Sequence, residues 1–279
     1  MTIDGSHAEG LGEVEFDDEK HAEDRQFVRA LARGLEILRC FQPQEPLLGN
    51  RELAHRTGLP KPTVSRLTHT LVAMGLLEFL PNHEKYRLRS SVLALGYAAA
   101  ATSGIVELAR PIMQRVVDEH GGSFALGVRD RLSMICLIHC HSKAIFTLRM
   151  DVGSHVPMLP SAMGRGFLVG LPDHERQFLV DRLARVSRRG GQTTQEIVQR
   201  AIDEFKAQGF CASYGEWLHD ILSIGAPVIS HDRQVVLGLT YSAFSYATAR
   251  ATMNEVMGPQ VRQVAAVIGD EITRLRWRP

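Results

Sequence analysis

At 279 residues, 44% hydrophobic and 23% charged, the chain has an ordinary globular composition and is long enough for two cores. Its net charge of +1 hides a split: residues 1–23 hold eight acids and one Lys, net −7, whereas residues 24–89 carry eleven Lys/Arg against six acids, net +5. A basic module of that kind can gather phosphate contacts, so the overall charge does not exclude nucleic acid.

No run approaches the roughly 20 apolar residues of a membrane span, and the acidic start lacks a signal peptide's basic and apolar segments. Cys40, Cys136, Cys140 and Cys211 show no CxxC spacing and lie in apolar runs, which points to reduced, buried thiols in a cytoplasmic chain.

In chain order, residues 1–23 read as a disordered, solvated acidic tail. Phe27 to Phe41 reads as a helix with Phe27, Leu31, Leu35 and Leu38 on one face, ended by Pro43 and Pro46. Asn50 to Gly75 reads as two short helices around a tight turn. In the first, Arg51 to Thr57, Leu53 and Ala54 point inward, and Gly58 supplies the left-handed stop. The second starts near Pro62, where a missing N–H costs nothing. Val64, Leu67, Leu71 and Met74 form its apolar stripe. Its other face carries Lys61, Thr63, Ser65, Arg66 and His69, donors rather than acids. A donor-rich second helix after a glycine turn is what a helix-turn-helix places in the major groove. Leu76–Phe79 and Tyr86–Leu88 then make a hairpin around Pro81–Glu84. The sum is a winged helix-turn-helix domain over residues 24–89.

Ser91 to Thr102 is Ala-rich and reads as a linker helix within residues 90–104. Its face Val92, Leu95, Ala99 suits a dimer contact. Residues 105–279 follow with a helix over Ile105–His120. Strands are expected at Phe124–Arg129, Ser133–His139, Ile145–Met150, Phe210–Ser213, Ile221–Ile229 and Val235–Tyr241. His231–Arg233 is read as the turn between the last two. Helices are expected near Ala162–Gly170, Glu175–Ala184, Thr194–Gln208 and Thr252–Arg274. Consecutive strands without crossovers imply an antiparallel sheet with helices packed on it, an α+β domain.

Arg66 can read guanine bidentately, while Lys61 and the hydroxyls mainly grip phosphate. At the wing, His83 and Lys85 can reach phosphate or the minor groove; a plain hairpin tip is the competing reading. Thr240 and Ser242 are two apart and share a strand face, with Ser223 on the strand paired through the hairpin. Convergent hydroxyls in an apolar surround suit a small carboxylate or phenol; ordinary buried hydroxyls bonded to backbone are the alternative. His139 and His141 share a strand face as two zinc ligands could, but no third ligand follows from spacing, and exposed imidazoles at a strand end are the simpler reading. No GxSxG, phosphate loop or HExxH is present, so no catalytic residue, metal or cofactor is assigned.

Phe27–Leu35, Glu52–Ala54, Gly58–Lys61, Val64–Leu67, Tyr86–Gly96, Pro160–Gly166, Gly209–Phe210 and Gly225–Val228 together resemble the IclR family of bacterial transcription regulators, over roughly residues 24–279. The entry helix is most similar to the branch that controls aromatic-acid (β-ketoadipate type) catabolism. The resemblance implies a GAF-like effector domain rather than an enzyme, with polar pocket positions at Ser213, Ser223, Thr240 and Ser242 and a loop contact at Ala162–Met163. Some members hold an acid at the place of Ser213, Cys at Ser223 and Gly-Ala at Ala162–Met163. Pro62 replaces the usual small residue at the start of the recognition helix.

The function expected is ligand-responsive transcription control. The partners are a pseudopalindromic double-stranded operator, a small organic acid or aromatic effector, and further copies of the chain as a homodimer or, as relatives imply, a dimer of dimers. The competing class is an enzyme acting on a small organic acid with an N-terminal assembly module.

Overall fold

The computed structural model describes residues 24–42, 45–96, 104–143, 148, 150–187 and 191–278. The acidic tail, the distal linker including Ala99, and most of the expected strand at 145–150 lie outside them. The chain divides into two compact units, between Thr102 and Ser103. Among the described residues no helix is long and apolar enough to cross a membrane.

In the N-terminal unit, α1 (Arg29–Arg39), α2 (Asn50–Thr57) and α3 (Lys61–Ala73) precede a hairpin of β1 (Leu77–Leu80) and β2 (Lys85–Leu88). Ile37, Leu48, Leu53, Val64, Leu71 and Leu77 are its buried core, each worth about 1.5–3 kcal/mol over exposure. Gly58 ends α2 at φ 66°, a left-handed conformation that costs glycine little. α3 begins at Lys61, with Pro62 in its first turn.

Two expected faces are corrected in part: Leu38 of α1 and Val64, Leu67 and Leu71 of α3 pack in the core as expected. On α1, Leu31 and Leu35 are 63% and 50% exposed, whereas Gly34 and Ile37 are buried. Two apolar stripes are compatible with that helix, and packing on α3 selects the second. On α3, Met74 is 66% exposed and Thr68 is fully buried. Thr68 can be buried because its hydroxyl donates to the Ser65 carbonyl at 3.1 Å, satisfying the polar group inside the helix. Residues 91–96 are helical, with Val92 half-buried and Leu93 and Leu95 exposed.

The second unit is a six-stranded antiparallel sheet in the order β5-β4-β3-β8-β7-β6. Its strands are β3 (Ser123–Asp130), β4 (Ser133–His141), β5 (His155–Pro157), β6 (Cys211–Tyr214), β7 (Ile221–Ile229) and β8 (Val236–Phe244). Among the described residues the strand that follows β4 is His155–Pro157; Leu148 and Met150, within the span expected to be a strand, are not in one.

One face packs on α4 (Ile105–His120) and on α8, where Arg250–Thr252 leads through a π turn at Met253–Met257 into Gly258–Leu275. The other face packs on α5 (Ala162–Gly170), with α6 (Asp173–Val186) and α7 (Gly191–Gln208) beyond it. Alternation sorts the side chains: Leu222, Ile224, Ala226 and Val228 of β7 and Leu237, Leu239, Tyr241 and Ala243 of β8 enter the α4/α8 core. Ser223, Gly225, Thr240 and Ser242 consequently point to the α5 side.

β4 breaks this alternation. The β3–β4 register shifts between Leu126 and Gly127. Met134 and Cys136 therefore pack on the α5 side, whereas Ile138 and Cys140, at the same parity in sequence, pack with α4. A bulge adds one residue and exchanges the faces of everything beyond it.

Candidate functional site

α3 holds two cations, Lys61 and Arg66, and no acid. Lys61, Ser65, Arg66 and His69 are exposed and Thr63 is half-buried. Among the described residues neither the Lys61 nor the Arg66 side chain has an ion pair. Other bases of the unit are occupied: Arg56 donates to the Cys40 carbonyl (2.8 Å) and pairs with Glu45, and Arg87 pairs with Glu78 at 2.8 Å. The helix therefore presents its donors outward while its neighbours hold the frame. Pro62 and Thr70 also face solvent there; a polarity count overlooks Pro62, although a proline in the first turn fixes the helix start.

At the wing tip, Pro81–His83 is a 3₁₀ turn followed by Glu84 at φ 51°. His83 is exposed. Lys85 is half-buried, and its ammonium lies 2.9 Å from the Glu52 carboxylate, whose other oxygen accepts the Gly49 N–H at 2.7 Å. The Lys85 bond first, together with the Gly49 N–H, holds Glu52 below its ordinary range. Lys85 thus ties the wing to the start of α2.

In the second unit the hydroxyls line up across strands. Ser213 pairs with Ser223, Ser223 with Ser242, and Ser242 with Ser123, one residue per strand on β6, β7, β8 and β3. Thr240 lies in the adjoining row opposite Gly225 and Ala125. Each hydroxyl has a partner inside the protein: Ser213 donates to the Pro160 carbonyl (2.6 Å), Ser223 and Ser242 share a bond (2.8 Å), and Thr240 donates to the Ile224 carbonyl (3.1 Å). Ser123, which sequence reasoning missed, completes the row and is buried; only the strand register reveals it.

Next to this row begins α5. A Cβ on Gly225 would stand 2.0 Å from the Ala162 carbonyl oxygen, and one on Gly238 would stand 2.3 Å from that of Met163. Only glycines allow the helix to lie this close on the sheet. Ser161 caps it, accepting the Gly164 N–H at 3.1 Å and donating to the Pro157 carbonyl at 2.6 Å. Ala162 and Met163 form the first turn, where N–H groups lack acceptors within the helix and the dipole favours an anion. Both side chains are 1% exposed. On the far side of the row, Ile221 pairs with Phe244, and Leu148 and Leu218 join them in an apolar cluster. The arrangement offers hydroxyls and a helix N-terminus for an acid and an apolar wall for a carbon body.

Arg165 and Glu216 were also missed. Arg165 is 1% exposed. Its Nε donates to the Leu159 carbonyl (2.8 Å), one amine to the Ala212 carbonyl (2.6 Å), and its fork grips Glu216 at 2.8 and 2.6 Å. Arg200 of α7 adds bonds to Glu216 at 3.0 and 2.7 Å. Burial raises the Glu216 carboxyl, but the bonds and charge of Arg165 and Arg200 outweigh it and hold it below its usual range. This bracket fixes the β6–β7 loop against α5. A charged residue in a small-residue stretch was the available signal.

His139 and His141 share a face, their ring centroids 5.6 Å apart. Among the described residues no group of three or more His, Cys, Asp or Glu could hold a metal ion. His139 is partly buried rather than exposed at a strand end. Burial first, then the His141 charge, lowers its imidazole to about 4. The cysteines are free; burial raises the Cys136 and Cys211 thiols to about 12, which keeps them protonated.

Residues 30–81 match the IclR helix-turn-helix domain, and residues 97–269 match the bacterial transcriptional regulator IclR C-terminal domain. The HTH-type transcriptional regulator TsaQ1/TsaQ2 of Comamonas testosteroni is 32% identical over 89% of this chain and 90% of its own. The crystal structure of an IclR family transcriptional regulator from Brucella abortus superposes with a TM-score of 0.83 at 38% identity, covering 91% of this chain and 96% of that one. An IclR homolog from Microbacterium hydrocarbonoxydans, solved in complex with 4-hydroxybenzoate, superposes with a TM-score of 0.64 over 88% of this chain and 99% of that one. At 20% identity that likeness is one of fold. The domain matches span both units and the relatives are covered nearly whole: the chain belongs to the IclR family of DNA-binding transcriptional regulators with an effector-binding C-terminal domain.

Proposed function

We propose that the regulator reads a pseudopalindromic operator through Lys61, Thr63, Ser65, Arg66 and His69 of α3, with His83 and Lys85 at the wing. Its effector is a small organic acid, aromatic in the leading case, held at Ala162, Met163, Ser213, Ser223, Thr240 and Ser242. The observation that carries the effector reading is the hydroxyl row beside the N-terminus of α5, with an apolar wall beyond it. A hydroxyl or carboxylate of the effector would bond the hydroxyls and the first-turn N–H groups while apolar neighbours such as Ile221 and Phe244 exclude water. The 4-hydroxybenzoate complex of the Microbacterium homolog supports an aromatic acid. We read the domain as GAF-like, and the controlled genes as those that catabolise the effector.

A homodimer, or a dimer of dimers, matches a two-fold operator. The exposed apolar residues Val28 at the N-cap of α1 and Leu31 and Leu35 within it, with Leu93 and Leu95 after the wing, are a surface such an assembly would cover. The effector changes operator affinity only as far as it binds one state of the protein better than the other.

Isothermal titration of benzoate and 4-hydroxybenzoate into wild type, Thr240→Val and Ser242→Ala tests the effector site. Loss of affinity in the variants is expected, and unaltered affinity in both refutes it.

A further inference from the structure

We infer that the effector site continues across β3 onto β4, where His139 donates a hydrogen bond from Nε2 to the acid group of the effector. This rests on the proposed hydroxyl site and extends it. The strand register carries the placement. Ser242 pairs with Ser123 and Ser123 with His141, while Thr240 pairs with Ala125 and Ala125 with His139. Because of the bulge after Leu126, both histidines share the sheet face of the hydroxyls. Without it they would point into the α4 core.

The rings stand two strands from Thr240 and Ser242, about 10 Å along the sheet. Between them the floor is Ala125 and Ser123, two small side chains. That span suits a hydroxy-substituted benzoate, its hydroxyl at the row and its acid group at the imidazole.

The donor assignment follows from the hydrogen bonds. The Met150 N–H donates to His139 Nδ1 at 3.4 Å. The neutral ring therefore carries its proton on Nε2. That Nε2 is buried and has no hydrogen-bond partner among the described residues. A buried donor left unmade is unfavourable, and in a native protein it calls for a partner. Burial favours the neutral ring at physiological pH, so the site presents an N–H rather than a charge. His141 is the complement: its Nδ1 donates to the Ser142 carbonyl at 2.9 Å, so in the neutral ring Nε2 is an acceptor. The pair thus offers one donor and one acceptor, a pattern that fits an acid bearing a hydroxyl.

The test is isothermal titration of benzoate, 4-hydroxybenzoate and succinate into the full chain and four variants. His139→Asn keeps an acceptor for the Met150 N–H but removes the donor at the Nε2 position. His139→Gln restores an amide N–H at that reach. Asn is expected to weaken the bound acid by about 10-fold or more, and Gln to recover a good part of it. Equal loss in Asn and Gln overturns the donor assignment. Unchanged affinity in His139→Asn, with loss in Ser242→Ala, overturns this inference and leaves the hydroxyl site standing. Loss in His139→Asn with none in Thr240→Val or Ser242→Ala overturns the hydroxyl site, and with it the claim that the site extends from those hydroxyls onto β4. A wild type that binds none of the three acids overturns both.

Discussion

Arg66 on α3 and Arg165 on α5 are the same side chain put to opposite uses. Arg66 is exposed and has no ion pair among the described residues, so its donors remain available to an outside partner. Arg165 is fully buried and spends its donors on two carbonyls and one carboxylate. The difference teaches where each unit keeps its specificity. The proposed DNA-reading face is a surface whose neighbouring acids sit in the frame behind it. The proposed effector region is an interior whose polar groups are mostly satisfied by one another, so a ligand must displace or join existing bonds.

The largest expected effect breaks the buried side of this comparison. Arg165→Ala leaves Glu216 with only Arg200 and strands two carbonyls, and should cost about 3 kcal/mol of stability, the low end for a broken buried pair because Glu216 remains 30% exposed. Denaturant unfolding measures it; a loss below about 1 kcal/mol would mean the bracket holds nothing. Next, Arg66→Ala should weaken operator binding by about 1–3 kcal/mol and leave unfolding unchanged. Fluorescence anisotropy on operator and on unrelated DNA checks that the loss falls on the specific complex.

A smaller effect lies in acid. Glu216 is held below its usual 4.5 in the folded state, so its contribution is present above that value and disappears as pH falls through the folded one. Stability should decline below about pH 4.5, less steeply in Glu216→Gln once the two are referenced to neutral pH. The smallest change is Lys85→Ala. Its half-exposed pair with Glu52 is worth less than about 1 kcal/mol, and the salt dependence of DNA binding should drop by less than one full ion because the ammonium is already shared. A full unit would show that Lys85 leaves Glu52 for phosphate.

Much of the fold was legible because local patterns are strong. The helices at Ile105–His120 and Ala162–Gly170 and the strand Ile221–Ile229 lie where periodicity and glycine breaks place them. The faces of helices were less legible. The expected stripe Phe27, Leu31, Leu35 and Leu38 is as regular as the one through Gly34 and Ile37, and periodicity alone cannot say which one meets the core. Thr68 was not read as part of the core; its burial is possible because its hydroxyl bonds within its own helix.

In the effector region, the sequence by itself determined that hydroxyls at Ser223, Thr240 and Ser242 could converge, since spacing of two fixes a common face on any strand. The placing of Ser123, Arg165, Glu216 and the two histidines around the proposed site came only with tertiary structure. Register across β7, β8, β3 and β4 aligns residues up to 119 positions apart, and one bulged residue decides which way His139 points. Glycine contacts set how closely α5 lies on the sheet. Those are properties of strands and helices meeting, and no local pattern encodes them. For α3, the proposed DNA-reading helix, the balance is reversed: its exposed donors lie on consecutive turns of one short segment, and their common face follows from 3.6 residues per turn.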